Sequence, residues 1–76
     1  MNWNIDSSNV YHLVYEAPEE GRIEITVNPD ESGSVTYYEW NGSAFVMVFK
    51  AVWNTDGSGE WWTYENGVQT GHGTWS

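Results

Sequence analysis

One turn pattern occurs repeatedly in this chain, and the repetition constrains the fold more than any other feature. Residues 28–42 read NPDESGSVTYYEWNG, and residues 54–67 read NTDGSGEWWTYENG. The matching residues, 26 positions apart, are Asn28 and Asn54, Asp30 and Asp56, Ser32 and Ser58, and Gly33 and Gly59. A constant period of this length is typical of tandem structural repeats.

An earlier copy of the pattern begins at Asn4, 24 residues before Asn28, and continues with Asp6 and Ser8. Asn9 then stands where the later copies have glycine, and asparagine is among the residues that best tolerate a positive φ. We therefore predict a single β domain over residues 1–76. Its repeat units of roughly 25 residues are approximately 4–27, 28–53 and 54–76.

Each unit reads as two β-strands. Apolar and polar residues alternate from Arg22 to Val27, which is the period of a half-buried strand. The remaining segments are rich in β-branched and aromatic residues and are bounded by turn residues. The sequence thus predicts an antiparallel meander of six to seven strands. The predicted strands lie near 2–5, 10–15, 22–28, 34–40, 44–53, 59–65 and 68–75.

Two kinds of turn are predicted at the two ends of these strands. The pairs Asn41-Gly42 and Asn66-Gly67 suit two-residue type I′ hairpins. At the other end, the aspartate of N-x-D-x-S-G would cap backbone N–H groups, and the residue after the serine would adopt the left-handed conformation. The residues assigned to these structural turns are Asn4, Asp6, Asn9, Asn28, Asp30, Gly33, Asn54, Asp56 and Gly59.

The segment SAFVMVFKAVW (43–53) is apolar on both faces, and Ser43 could cap a helix. Its three valines and the preceding hairpin signal favour a strand. A strand that is apolar on both sides is normally covered on both sides. A rolled sheet or small barrel provides such a cover and hides the sheet edges, whereas an open sheet would need a partner chain.

Two resemblances follow from these motifs. The pattern N-x-D-x-S resembles the Asp-box, a hairpin turn of many β proteins, and Asn54, Asp56, Ser58 and Trp61 match it best. The elements Gly59-Glu60-Trp61, Tyr64, Asn66-Gly67, Gly73 and Trp75 are similar to MORN-type repeats, which are tandem β-hairpins. Both resemblances imply hairpins, and neither implies a reaction.

Charge limits the classes of partner. Eleven carboxylates oppose one arginine and one lysine, for a net charge of −9, and the chain has no cysteine. Nucleic-acid binding requires several cations to displace phosphate counterions, and anionic membranes are disfavoured for the same reason. The sequence predicts a protein partner with a basic surface or a neutral glycan, and a monomer or small homo-oligomer. No export signal is visible in the chain as given, so the expected location is cytoplasmic.

The residue pattern gives little support for a metal site or for an enzyme active site. The spacing of Asp30 and Glu39, like that of Asp56 and Glu65, follows a calcium loop, but a strand would carry each glutamate about 20 Å from its turn. The two histidines fall in different frames of the repeat, and no catalytic motif is present. We expect no catalytic residues, metal or cofactor, and no enzyme activity.

Aromatic rows supply the candidate binding site. The alternation of strands 34–40 and 59–65 predicts one face with Tyr38, Trp40, Trp62 and Tyr64, and an opposite face with Glu39 and Glu65. These six residues are the candidate ligand-binding residues. Exposed aromatic side chains rimmed by acids usually mark a binding site.

Three interpretations of this patch remain. The first is a non-catalytic acidic protein-binding module, such as a small inhibitor or immunity-type protein that occludes a basic surface of its partner. The second is a lectin-like carbohydrate-binding module in which Trp and Tyr rings stack on sugars. The third is a structural interaction domain.

Overall fold

Seven β-strands account for most of residues 2–76, the part of the chain that this computed structural model describes. They are β1 (Asn2–Ile5), β2 (Tyr11–Ala17), β3 (Gly21–Val27), β4 (Gly33–Trp40), β5 (Phe45–Trp53), β6 (Gly59–Glu65) and β7 (Val68–Trp75). All seven predicted strands are present, and their ends differ from the predictions by two residues at most. The helical alternative for the apolar segment is wrong, since residues 45–53 form β5.

The strands lie in one antiparallel sheet in sequence order, so that each pairs with the next. The prediction of an all-β meander is confirmed, but the small barrel is wrong. Closure would require β1 to pair with β7, and β1 is only four residues long and pairs with β2 alone. The result is an open sheet whose Cα atoms span 37 by 29 by 13 Å.

The register divides the side chains of the sheet into two chemically different faces. We call the first the apolar face. Its main members are Trp3, Ile5, Tyr11, Leu13, Tyr15, Ile23, Ile25, Val27, Val35, Tyr37, Phe49, Ala51, Trp53, Trp61 and Trp75. We call the second the polar face. Its main members are His12, Glu16, Arg22, Glu24, Thr26, Ser34, Thr36, Tyr38, Trp40, Lys50, Glu60, Trp62, Tyr64 and His72.

Neither face is covered by a second layer of this chain. Among residues 2–76, Ala51 is the only apolar side chain that reaches full burial, and it lies at the middle of the apolar face. A β domain normally packs its apolar face against another layer. The sheet described here therefore has an apolar face that no second layer of this chain covers.

The loops 6–10, 28–32 and 54–58 share one hydrogen-bonding scheme, and we call their side of the sheet the Asp end. In loop 28–32 the N–H of Asn28 donates to the carbonyl of Ser32, and the N–H of Glu31 donates to the carbonyl of Asn28. Loop 54–58 repeats both bonds, and loop 6–10 repeats them with Asp6 in the place of Asn28.

The left-handed residues of these loops correct part of the turn prediction. Asn9 has a positive φ of 63°, as predicted. The equivalent residues are Glu31 (φ 74°) and Gly57 (φ 90°), because unit one is offset from unit two by 22 residues here and not by 24. The prediction for Gly33 and Gly59 is wrong, since both begin strands, and Asn4 lies within β1. The remaining predicted turn residues lie in these loops.

The opposite side of the sheet carries loops 18–20, 41–44 and 66–67, and we call it the Asn-Gly end. Asn66 and Gly67 both have positive φ, so the predicted type I′ turn is confirmed there. The same prediction for Asn41-Gly42 is wrong. There the side-chain oxygen of Asn41 accepts hydrogen bonds from the N–H groups of Ser43 and Ala44, and this turn lengthens the loop to four residues.

Gly33 and Gly59 are required for close packing and not for a positive φ. A Cβ on Gly33 would lie 2.6 Å from Cζ2 of Trp53 and would collide with the carbonyl of Thr26. The indole of Trp53 thus lies flat over Gly33, and its Nε1–H donates to the carbonyl of Glu31 at 2.8 Å. Unit three repeats this arrangement: Trp75 lies over Gly59 and donates to the carbonyl of Gly57 at 2.7 Å.

Candidate functional site

The sheet splits at its Asn-Gly end, between the hairpin of β4 and β5 and the hairpin of β6 and β7. The pairing of β5 with β6 runs from Trp53↔Gly59 only as far as Phe49↔Thr63. Beyond that point, the first residues of β5 and the last residues of β6 have no register partners across the gap. We call this gap the notch.

Two β-bulges stand beside the notch. One interrupts the β4–β5 register between Tyr37 and Tyr38, and the other interrupts the β6–β7 register between Thr63 and Tyr64. The two sites are 26 residues apart, so the repeat reproduces the bulge as well as the turns. Bulges bend a strand and increase its local twist. The coincidence of both bulges with the end of the β5–β6 ladder accounts for the divergence of the two hairpins.

Acidic, aromatic and apolar side chains line the notch together, around an open volume of about 810 Å³. The lining residues are Glu39, Trp40, Asn41, Val46, Val48, Tyr64, Glu65, Asn66, Gly67 and Thr70. Four of the six candidate ligand-binding residues, Glu39, Trp40, Tyr64 and Glu65, are therefore brought to one place. The reasoning from sequence missed Val46, Val48 and Thr70, because no local signal marks the end of a ladder between two hairpins.

The other two candidate residues, Tyr38 and Trp62, lie on the polar face outside the notch. Trp62 stands in a cross-strand row between Lys50 of β5 and His72 of β7. The His72 ring stacks on it with centroids 5.3 Å apart and planes 9° apart, and Lys50 Nζ lies 5.9 Å from the ring centroid. Both flat sides of the Trp62 ring are thus occupied by neighbouring side chains.

Trp40 keeps one side available to the notch. Its ring meets Phe45 edge to face, with centroids 5.1 Å apart. A single contact of this kind leaves at least one face of the indole uncovered by Phe45. Trp40 and Tyr64 are half-buried, and Glu39 and Glu65 are exposed. The notch therefore combines positioned aromatic rings with solvated carboxylates.

The carboxylates of the polar face have hydrogen-bonding partners on neighbouring strands or on their own strand. Arg22 binds Glu24 at 2.7 Å and Glu16 at 2.8 Å, and these hydrogen bonds raise the pKa of Arg22. Glu60 contacts Nε2 of His72 at 2.8 Å. Within residues 2–76, the ion pairs do not include Glu39 or Glu65. Among the described strands, the carboxylates outside these ion pairs are therefore the two that line the notch.

The aspartates of the Asp end are structural. Asp30 accepts hydrogen bonds from the hydroxyl and the N–H of Ser32, and Asp56 does the same with Ser58; these bonds lower the pKa of both aspartates. Hydrogen bonds from His12, and then from the N–H groups of Val10 and Ser8, lower the pKa of Asp6.

The calcium spacing does not form a site. Glu39 and Glu65 line the notch at one end of β4 and β6, whereas the aspartates lie in the loops at the other end. In the described part of the chain, no three His, Cys, Asp or Glu side chains come together in a way that could hold a metal ion.

Comparison with protein families, with curated proteins and with solved structures finds no match to this chain. The resemblances to the Asp-box and to MORN-type repeats therefore stay predictions. Residues 2–76 include no helix with the length and apolar character needed to cross a bilayer.

Proposed function

We propose that this chain is a non-catalytic, acidic protein-binding module that receives cationic side chains of a basic partner surface in the notch. The observation that carries the proposal is the convergence of Glu39, Glu65, Trp40 and Tyr64 around one open volume. A module of this kind would act as an inhibitor or immunity-type protein does, by occluding the basic surface of its partner.

The chemistry of the notch suits an arginine or lysine side chain. Two carboxylates without cationic partners in the described residues attract the charged head group, and an aromatic ring face adds a cation–π contact of about 0.5–1 kcal/mol at an exposed site. The net charge of −9 raises the rate of encounter with a basic surface at low ionic strength. Charge would thus set the association rate, and the rings would slow dissociation.

The lectin-like alternative has less support. Sugar stacking requires an aromatic ring with an open flat side. Trp62 is flanked by Lys50 and His72, which leaves Trp40 and Tyr64 as the candidate rings that line the notch. A catalytic role also lacks support, since His12 and His72 lie on β2 and β7, each beside a single carboxylate.

The test uses an acetylated hexa-arginine peptide, with the same peptide in citrulline as an uncharged control of similar shape. NMR titration should shift the indole N–H of Trp40 and the ring resonances of Tyr64 with the arginine peptide only. The double variant Glu39→Gln/Glu65→Gln should weaken binding about tenfold at low salt, because each charged contact is worth up to about 1 kcal/mol. Trp40→Ala should weaken it more than Trp62→Ala does.

A matched control removes the same charge from the same end of the sheet. Glu19→Gln/Glu20→Gln changes two carboxylates of loop 18–20, which do not line the notch, and should weaken binding by less than about threefold through loss of long-range attraction. Equal effects of the two double variants would contradict the proposal. So would binding of the citrulline peptide with the same affinity, or an affinity that does not respond to salt.

A further inference from the structure

The apolar face is too large and too exposed for a chain that acts alone. Residues 2–76 expose 5249 Å², whereas a folded monomer of 8.7 kDa exposes about 4,700 Å². The exposed large apolar side chains Trp3, Ile5, Tyr11, Tyr15 and Trp75 all belong to this face, and Val68 pairs with Glu65 on the same side. A continuous patch of this kind marks an interaction surface.

The surface of this face is mainly aromatic and aliphatic. Trp53 and Trp75 lie over glycines and donate their indole N–H groups to backbone carbonyls, and the Trp61 ring lies over Gly73. Among the described strand residues, the charged members of the face are Glu39 and Glu65, at the Asn-Gly end. Away from that end, a surface of this composition suits a largely dry contact and offers a charged partner little to recognise.

We propose that the occupant of the apolar face is a second copy of this chain, so that two seven-stranded sheets stack face to face as a sandwich. The sheet measures 37 by 29 Å, an outline of about 1,000 Å², and a standard interface takes about 800 Å² from each partner. Homodimer interfaces are also the most apolar class of protein interface. The stacked sheets would lie about 10 Å apart, as in a β-sandwich.

The relief of the apolar face indicates how the copies are oriented. Its β1–β2 half is raised, with Trp3 65% exposed and Tyr11 and Tyr15 each 52% exposed. Its β4–β7 half is flatter around Trp53, Trp61 and Trp75, whose indoles lie on glycines. At the Asn-Gly end of this half, Val68 is 65% exposed. A twofold axis parallel to the strands places the raised half of one copy on the flat half of the other. The two halves are then complementary, as a self-associating surface requires.

This orientation has an electrostatic consequence. The axis superposes the Asp ends of the two copies, and it also superposes their Asn-Gly ends. The carboxylates at each end of one copy therefore face the carboxylates at the same end of the other. Like charges repel, and salt screens the repulsion over about 10 Å. Salt should therefore strengthen the dimer, whereas it should weaken binding of a cationic peptide in the notch. The two associations are separable by the sign of their salt dependence.

The first test is sedimentation equilibrium of the wild-type chain at about 0.05 and about 0.5 M salt. We expect a mass of twice 8.7 kDa and tighter association at the higher salt. The variant Trp3→Lys/Tyr15→Lys changes two side chains that the single sheet leaves exposed, and it should raise the dimer Kd by tenfold or more. Its control, Asn2→Lys/Asn4→Lys, adds the same charge on the opposite face of β1 and should not weaken the dimer.

The second test does not depend on any variant. In a mixture of ¹³C-labelled and unlabelled chains, isotope-filtered NOEs should join Trp3 or Tyr15 of one copy to Trp61 or Trp75 of the other. A monomer at both salt concentrations would overturn the proposal. It would also be overturned by cross-chain NOEs confined to the backbones of β1 and β7, which indicate pairing of sheet edges, or to polar-face rings such as Trp62.

Discussion

Substitution of alanine for Gly33 or Gly59 should destabilise the fold through packing. Each new Cβ would collide with a backbone carbonyl of the neighbouring strand, that of Thr26 or Val52, and with the indole of Trp53 or Trp75. The indole can swing away, but the carbonyl cannot without opening the strand ladder. Each glycine therefore holds its strand and its tryptophan at the observed separation.

The size of the effect follows from two losses. Displacing the Trp53 indole breaks its 2.8 Å hydrogen bond to the carbonyl of Glu31, which costs about 1 kcal/mol. Forcing a methyl group into the remaining contact costs a further 1–3 kcal/mol, approximately. Gly33→Ala should thus lower the free energy of unfolding by about 2–4 kcal/mol, or Tm by roughly 10–20 °C in a chain of this size. Gly59→Ala should lower the free energy of unfolding by a similar amount.

Thermal melts by circular dichroism, at one protein concentration, measure these differences. The control is Gly57→Asn at a left-handed position, where a Cβ meets nothing within 4 Å and where the equivalent residue of unit one is Asn9. It should cost less than about 1 kcal/mol. In a Trp53→Ala background, Gly33→Ala should lose part of its effect. The packing argument would be refuted if the free energy of unfolding of Gly33→Ala lay within about 0.5 kcal/mol of the wild-type value. It would also be refuted if Gly57→Asn lost more stability than Gly33→Ala.

Two further predictions concern the aspartates. Because the folded-state pKa of Asp30 and Asp56 is lowered, their contribution to stability is present above the unfolded pKa near 4 and is lost as pH falls through the folded value. Urea melts between about pH 2 and 6 should show less acid destabilisation in Asp30→Asn/Asp56→Asn than in wild type, and parallel pH curves would contradict this. Calcium or a chelator should shift Tm by less than about 1 °C, because the aspartates and Glu39 or Glu65 lie at opposite ends of their strands. A shift of many degrees would show that the Asp-end loops bind the ion.

The strands and their faces were accessible from sequence because they depend on local patterns. Turn residues separate the segments, and period two assigns Tyr38 and Trp40 to one face and Glu39 to the other. The position of the left-handed residue was not accessible, because Glu31 carries no signal for a positive φ, whereas Gly33 does. Counting back from the pair Trp40↔Phe45 would place Gly33 opposite Val52. The bulge between Tyr37 and Tyr38 moves Gly33 opposite Trp53, so its packing role was not accessible either.

The notch and the open sheet depend on relations between hairpins, and these lie beyond local patterns. Two hairpins with the same Asn-Gly pair in their turns can continue one ladder or diverge. The register shift between Thr63 and Tyr64 is visible only when Thr63 and Gly71 are known to pair. Barrel closure likewise depends on the match between the first and last strands. A four-residue β1 cannot supply the pairing that an eight-residue β7 would need.

The position of the charges indicates why such a sheet need not aggregate. Of the eleven carboxylates, nine lie in the loops or on the polar face. The other two, Glu39 and Glu65, lie at the Asn-Gly end of the apolar face, so most of that face carries no charge. Face-to-face association of two copies covers the uncharged part of that face and leaves the solvated polar faces outward, which closes the assembly at two chains. Edge-to-edge growth through β1 is limited by its four residues, because short edge strands offer few backbone groups for pairing. Screening the carboxylates at the Asp end and the Asn-Gly end with salt should therefore tighten the dimer without producing larger species. Removing their charge by Glu→Gln substitutions away from the notch should do the same. A rise in mass beyond two chains would show that the polar face or the edges also associate.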